Sequence, residues 1–319
     1  MDEAVRGSDS LASFSGETLL AVRGISKRYG ARVAIENLEL VVSAGEVFGL
    51  VGANGGGKTT TLRILAGILR PDQGSGLALG FDLIHRAKEI RRHIGYMSQR
   101  LSLYGDLSVF ENLRFRAEVY GLDNSRSAAE KAIEEFELQR YARSRAGELS
   151  GGWARRLQLA AALIHAPRLI LLDEPTAGLD VVSRHDVWRR IGQMAASGAA
   201  VVIGTHDLAE AELCASAVLL SEGRVVARGT PEQIARGAPA AAFLLAGAET
   251  RTLQESIEGM GGVLASYPQS ESLRVVASSQ AAEVLAHTAE VKGLKLSRVA
   301  MRLEDAVLAY SRASQCREV

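Results

Sequence analysis

Residues 46–69 read EVFGLVGANGGGKTTTLRILAGIL: an apolar run, a cluster of glycines, then an amphipathic pattern. Val47 to Val51 carries the signal of a short buried strand, and Leu62, Leu65, Ala66 and Leu69 recur on one helical face. Between them, Gly52, Ala53, Asn54, Gly55, Gly56, Gly57, Lys58 and Thr59 fit the pattern G-x-x-x-x-G-K-[ST] in its strand-loop-helix setting. The spacing has a physical purpose. Glycines let successive backbone N–H groups converge on phosphate oxygens, and the helix that follows points its positive end at them. Lys58 then reaches the outer phosphates, and Thr59 offers a hydroxyl to magnesium.

Outward from this loop lie two more apolar runs. RLILLDEP puts Leu169 to Leu172 in a segment apolar on both faces, as in a parallel sheet, and it ends in Asp173 and Glu174. Asp173 at a strand tip suits magnesium held through water, while Glu174, one residue on, points elsewhere and is suited to polarising an attacking water. The apolar run in GAAVVIGTHD leads into His206, which on a neighbouring strand reaches the terminal phosphate and orients that water. Strands alternating with helices in this way predict an α/β fold.

Composition narrows the partners. The 319 residues allow two domains, and 47% hydrophobic content marks a folded chain. Lysine plus arginine equal aspartate plus glutamate at 37 each, so the basic footprint needed for nucleic acid is missing. Cys214 and Cys316 match no metal-ligand spacing and read as reduced thiols. The N-terminal stretch has no apolar core of a secretory signal and reads as a loose tail over 1–18. The richest apolar run, AAAFLLAGA near residue 245, is too short to span a membrane.

The order of the landmarks resembles the nucleotide-binding subunit of the ATP-binding cassette (ABC) transporter family. Tyr29 in SKRYG, the glycine loop, Gln99 in GYMSQ, LSGG at Leu149 to Gly152, LLDEP, AGLD ending at Asp180, and His206 each occur once and in that family's order, over about residues 19 to 235. The resemblance implies a P-loop ABC-type ATPase core over 19–249, a helical subdomain at about 100–150, and ATP with Mg2+ as ligands. It implies that Tyr29 stacks on adenine, a use that suits a flat amphipathic ring. Gly52 through Gly57, Lys58, Thr59 and Thr60 would hold the phosphates; Thr59, Gln99 and Asp173 the magnesium; Glu174, His206 and Gln99 the attacking water.

The LSGG stretch raises a separate question, because it offers a second phosphate grip. Ser150 stands before a helix whose first-turn N–H groups are unused, and Gly151 and Gly152 permit close approach. The glycine loop of the same chain already surrounds its own nucleotide, so this grip must serve another copy. The resemblance implies the same: two cassettes pack head to tail, with Ser150, Gly151, Gly152 and Asp180 completing the partner's ATP pocket. Two departures from the family pattern stand out. Trp153 replaces the usual glutamine, with Ala154 and Arg155 following, which alters the ribose side but leaves the phosphate-facing groups intact. Gly56 stands where alanine or serine is more usual and should loosen the loop slightly.

Beyond His206, ASAVLLSEGRVVARGTPEQI reads as a hairpin turned at Glu222 and Gly223, then a helix begun by proline. Residues 237–249 fit either a linker or a helix. SLRVVA and LKLSRVA read as strands around the helix QAAEVLAHTAEV, a small α+β appendage over 250–319. The closing MRLEDAVLAYSR resembles the S-L-E-D-x-F-L ending of cassette subunits from bacterial drug and lipid exporters, with Arg302 replacing the serine. The expectation is therefore an ATPase that powers an exporter through a separate membrane permease, at the cytoplasmic face of the inner membrane. The alternative is a soluble cassette acting on ribosomes or DNA, but those relatives carry tandem cassettes or long coiled-coil insertions. A third, a regulatory module that does not hydrolyse, is opposed by the intact Asp173, Glu174 and His206.

Overall fold

The computed structural model describes residues 17–247, 250–291 and 293–315, in two units: one holds residues up to 50, 55–206 and 222–224, the other 51–54, 207–221 and 225 onward. The tail expected over 1–18 lies, but for its last two residues, outside the described residues.

The first unit opens with β1 (Thr18–Tyr29), β2 (Arg32–Ser43), β3 (Val47–Val51), α1 (Lys58–Leu65), β4 (Gln73–Ala78), β5 (Phe81–Asp82), α2 (Ala87–His93) and β6 (Ile94–Met97). It continues with α3 (Val109–Val119), α4 (Ser125–Glu135), α5 (Gly151–Leu163), β7 (Leu169–Asp173), α6 (Val181–Ala196) and β8 (Ala200–Thr205). An antiparallel sheet has the order β2-β1-β4-β5. In a second sheet β3, β8, β7 and β6 lie side by side, with β6, β7 and β8 paired in parallel. Every residue of β7 and β8 is buried, which is why both read as unbroken apolar runs. The helical stretch starts at Ser108, whose hydroxyl and Glu111 form a reciprocal capping box, and Asn124 caps α4. Its core joins Val109 and Leu113 of α3, Ala129 and Ile133 of α4 and Leu157 of α5 to Ile170 and Leu172 of β7.

The second unit holds α7 (Leu208–Ala211), β9 (Ser216–Ser221), β10 (Arg224–Gly229) and α8 (Pro231–Arg236). The expected hairpin turn is present, with positive φ at Glu222 and Gly223, and Thr230 caps α8 ahead of Pro231. Then come β11 (Ala241–Ala246), α9 (Thr250–Glu258), β12 (Val263–Gln269), β13 (Ser272–Ala277), α10 (Ser279–Val291), β14 (Lys295–Val299) and α11 (Leu303–Gln315). The strand order β12-β13-β11-β14, antiparallel where β11, β12, β13 and β14 pair, makes this a split βαβ sheet of ferredoxin-like type.

This corrects two expectations about the C-terminal part. Residues 241–246, inside the stretch read as linker or helix, form a strand hydrogen-bonded to both β13 and β14, so the appendage sheet begins at Ala241 and not at residue 250. The physical reason lies in the partners. AAFLLA alternates weakly on its own, but with neighbours on either side Phe243 and Leu245 face Ile257, Leu285 and Ala289 of the covering helices. On the opposite face Arg274 of β13 is buried against Asp305 of α11. Leu303 and Ala306 of that helix pack with Ala217, Leu219, Ile234 and Ala235. The MRLED ending thus ties the appendage sheet to α8 and β9.

Candidate functional site

The glycine loop adopts a backbone that only glycine tolerates at its two ends. Gly52 has φ 156°, and a Cβ there would lie 2.2 Å from the Leu220 carbonyl oxygen; Gly57 has φ 106°, and its Cβ would meet the Ala34 carbonyl oxygen at 2.5 Å. Gly56 is outside the positive-φ set, so its backbone does not require glycine and a serine or alanine is compatible with the same path. Gly57 stands at the N-cap of α1 with no side-chain cap, so the first turn offers N–H groups that the helix does not use. Ala53, Asn54 and Gly55 are exposed, Gly56 is buried, and Thr59 and Thr60 face outward at the start of α1. The loop is braced from the side by Arg32, whose guanidinium donates to the Gly55 carbonyl at 3.1 Å. Tyr29 pairs across the hairpin with Arg32, half exposed, its ring 5.9 Å from the Lys27 ammonium.

Four of the expected residues meet at one carboxylate. Glu174 Oε1 accepts from His206 Nδ1 at 2.8 Å and lies 4.0 Å from Lys58 Nζ, while Glu174 Oε2 accepts from Gln99 Nε2 at 3.2 Å. A carboxylate only accepts, so His206 carries its proton on Nδ1. Glu174 has φ 50°, an uncommon backbone for a non-glycine residue, held by its N–H donating to the Gly204 carbonyl at 2.8 Å. That turn separates its side chain from Asp173. Lys58 is buried, and burial lowers its pKa while the Glu174 and Asp173 charges work to raise it.

Asp173 is 1% exposed, and neither carboxylate oxygen has a hydrogen-bond partner of ordinary geometry among the described residues. Its pKa is raised, chiefly by burial and also by Glu174; the adjacent Thr59 hydroxyl and the Lys58 and Arg155 charges pull the other way. Two buried, unsatisfied acceptors beside a threonine hydroxyl form a hard oxygen donor set that fits magnesium. No cluster of three or more His, Cys, Asp or Glu side chains makes a ready cation cage among the described residues.

The LSGG residues lie apart from this convergence in their bonding. Ser150 is the exposed N-cap of α5, yet its hydroxyl makes no cap bond, and a Cβ on Gly151 would enter open space. Asp180 is committed locally: it caps α6, accepting from the Ser183 N–H at 2.9 Å and its hydroxyl at 2.7 Å, which lowers its pKa. Trp153 packs into the helical stretch, 4.7 Å from the Tyr141 ring and under the Arg156 guanidinium at 4.9 Å. Sequence reasoning missed Arg155 and Gln158, both buried on α5 against the Gln99 loop. The available signal was a polar pair three residues apart on the face that otherwise buries leucine and alanine.

The chain is similar to proteins already known. The family described as "ABC transporter" matches residues 35–177. The chain is 40% identical over 222 residues to the "Probable multidrug ABC transporter ATP-binding protein YbhF" of Escherichia coli, covering 69% of this chain and 38% of that relative. The matching part therefore spans well under half the length of that protein. It is 39% identical over 219 residues to the "Nod factor export ATP-binding protein I" of Cupriavidus metallidurans, covering 68% of this chain and 72% of the relative. Among solved structures, "Structure of ATP binding subunit of ABC transporter" aligns with a TM-score of 0.63 at 35% identity, over 69% of this chain and 92% of that one. A dimeric post-hydrolysis cassette, MJ0796 bound to ADP and Pi, aligns with a TM-score of 0.62 at 26% identity, over 66% and 98%.

Proposed function

The chain belongs to the ABC transporter family of ATP-binding cassettes, and on that premise we propose that it is the ATP-hydrolysing subunit of an exporter whose membrane helices lie on a separate permease. The observation that carries this is the convergence of His206, Gln99 and Lys58 on the buried Glu174 carboxylate beside the glycine loop. Glu174 takes the proton of the attacking water as it strikes the terminal phosphate in line. His206 and Gln99 hold that carboxylate in one orientation, and Lys58 balances charge on the phosphates. Tyr29 stacks on the adenine. Thr59 and Asp173, with Gln99 beside them, would hold magnesium, which when bound neutralises charge on the β- and γ-phosphate oxygens.

The unused Ser150 hydroxyl and the open approach at Gly151 support a seam with a second copy or a related cassette, in which Asp180 lies near the junction. ATP then favours the closed pair and its hydrolysis releases it. Among the described residues no helix is long and apolar enough to cross a membrane, which supports a peripheral chain held at the cytoplasmic face by the permease. The export names of the relatives and the MRLED ending support outward transport of a drug, lipid or other hydrophobic or polymeric cargo. The ATPase domain is read as ending before β11, with the ferredoxin-like sheet as an appended domain.

The seam has a direct test. ATP turnover by the purified chain should rise faster than in proportion to its concentration, together with ATP-dependent dimers in sedimentation. Full turnover by a strict monomer, insensitive to Ser150→Ala even beside its permease, defeats the two-copy reading. Trp153→Gln restores the usual residue and removes the contact with Tyr141, away from the phosphate-facing groups. Hydrolysis should stay within about a factor of ten, a span of roughly 1.4 kcal/mol, and a far larger loss assigns the indole a specific role.

A further inference from the structure

Arg155 is 5% exposed on a helix face that, apart from Gln158, is made of leucine and alanine, and among the described residues no carboxylate lies within ion-pair distance of it. Its two terminal nitrogens donate mainly to backbone carbonyls instead, while Nε has no partner among the described residues. Nη1 donates to Gln99 at 2.6 Å, and Nη2 donates to Glu174 and, at 3.4 Å, to Asp173. Gln158, one turn further along, donates through Nε2 to the carbonyls of Ser98 at 3.1 Å and Arg100 at 2.9 Å, and accepts from Arg155 at 3.3 Å. Gln99 is therefore gripped at its own carbonyl and on both sides, while the same guanidinium grips the peptide that sets the direction of Glu174.

We propose that Arg155 is a positioning residue for hydrolysis: it locks the backbone of Gln99 and Glu174 in one frame so that their side chains meet at 3.2 Å. The proposal rests on the reading of Glu174 as the base. A buried guanidinium is costly to hold unless its donors are used, so the charge is retained for what its planar fork can do. The fork reaches two loops at once; a lysine ammonium keeps the charge but is a single point and cannot span both. Burial lowers the guanidinium pKa, and the neighbouring Asp173 and Glu174 charges oppose that only in part. Because Ser150 stands at the N-cap position of the same helix five positions earlier, any shift of that end is carried by α5 into the Gln99 and Glu174 frame. Contact made at the seam is thus registered at the chain's own base.

The test is Arg155→Lys in the full-length chain, assayed with ATP and magnesium beside the wild type and Glu174→Gln. The lysine variant should melt with the wild type and keep KM for ATP within about twofold, yet lose kcat by about tenfold or more. Arg155→Gln, which keeps a planar donor but no fork, should fall alongside it. A kcat loss smaller than tenfold, or one matched by unfolding or by an equal rise in KM, overturns the proposal. If Glu174→Gln itself turns over normally, the reading of the base has failed; if it is inactive while Arg155→Lys is normal, only the positioning role has failed.

Discussion

Glu174→Gln leaves ATP bound but slows its turnover by about a hundredfold or more, a barrier rise of roughly 2.7 kcal/mol, and accumulates nucleotide-held pairs of the chain. The substitution changes little besides the chemistry of one group. The amide has the same size and its oxygen still accepts from His206 Nδ1, though its NH2 cannot accept from Gln99 Nε2 as the carboxylate does, and the φ of 50° at this position is set by the bond to the Gly204 carbonyl, which the side chain does not touch. What it loses is the capacity to take a proton from water. The affinity for ATP should hold, since Lys58, Thr59 and the loop amides are unaltered. Turnover close to wild type removes Glu174 from the role of base, and dimers that fail to persist under ATP separate hydrolysis from release of the seam. Single-turnover assays with size-exclusion chromatography measure both.

Asp305→Asn should cost about 3–5 kcal/mol of stability in the C-terminal unit, because it strands a buried arginine. Arg274 is 2% exposed and Asp305 fully buried; the two are joined by a fork, Nε to Oδ1 at 3.1 Å and Nη2 to Oδ2 at 2.5 Å. The same carboxylate accepts from the Tyr267 hydroxyl at 2.5 Å and the Arg302 N–H at 2.7 Å. Burial pushes the Asp305 pKa up, but these hydrogen bonds outweigh it and leave the carboxyl below its usual value. The asparagine keeps the shape and loses the charge, so the cost reports the unpaired guanidinium. Urea unfolding of the full-length chain measures it, together with protease sensitivity of the 241–315 segment. The double variant Arg274→Met, Asp305→Leu should recover most of the loss, since an apolar pair of similar volume removes both charges at once. An Asp305→Asn chain as stable as wild type contradicts the account of α11 as the tie to β13.

Much of this was legible along the chain, and the reason is local. The glycine loop, the two acids after β7 and the histidine after β8 each follow a strand whose apolar run announces it, and the steric demands at Gly52 and Gly57 are met by residue type alone. The hairpin at Glu222 and Gly223 and the capped start of α8 were readable in the same way. The C-terminal part was less so. AAFLLA has no clear period, and its identity as a central strand is conferred by β13 and β14 on either side. The pairing of Arg274 with Asp305 joins residues 31 apart in the chain, a separation over which no local pattern links one to the other.

By itself the sequence determined the chemistry: which side chains stand at the ends of which strands, and that they suit phosphate and magnesium, because those requirements are met within a few consecutive residues. Only the tertiary structure decided how the pieces are held. It turned Asp180 into a helix cap, brought His206 and Gln99 onto one carboxylate, and spent the terminal nitrogens of a buried arginine on the carbonyls of two loops. Those outcomes depend on where distant segments fall once the strands have paired, and on the need of each buried donor to find an acceptor, which no local pattern of residues encodes.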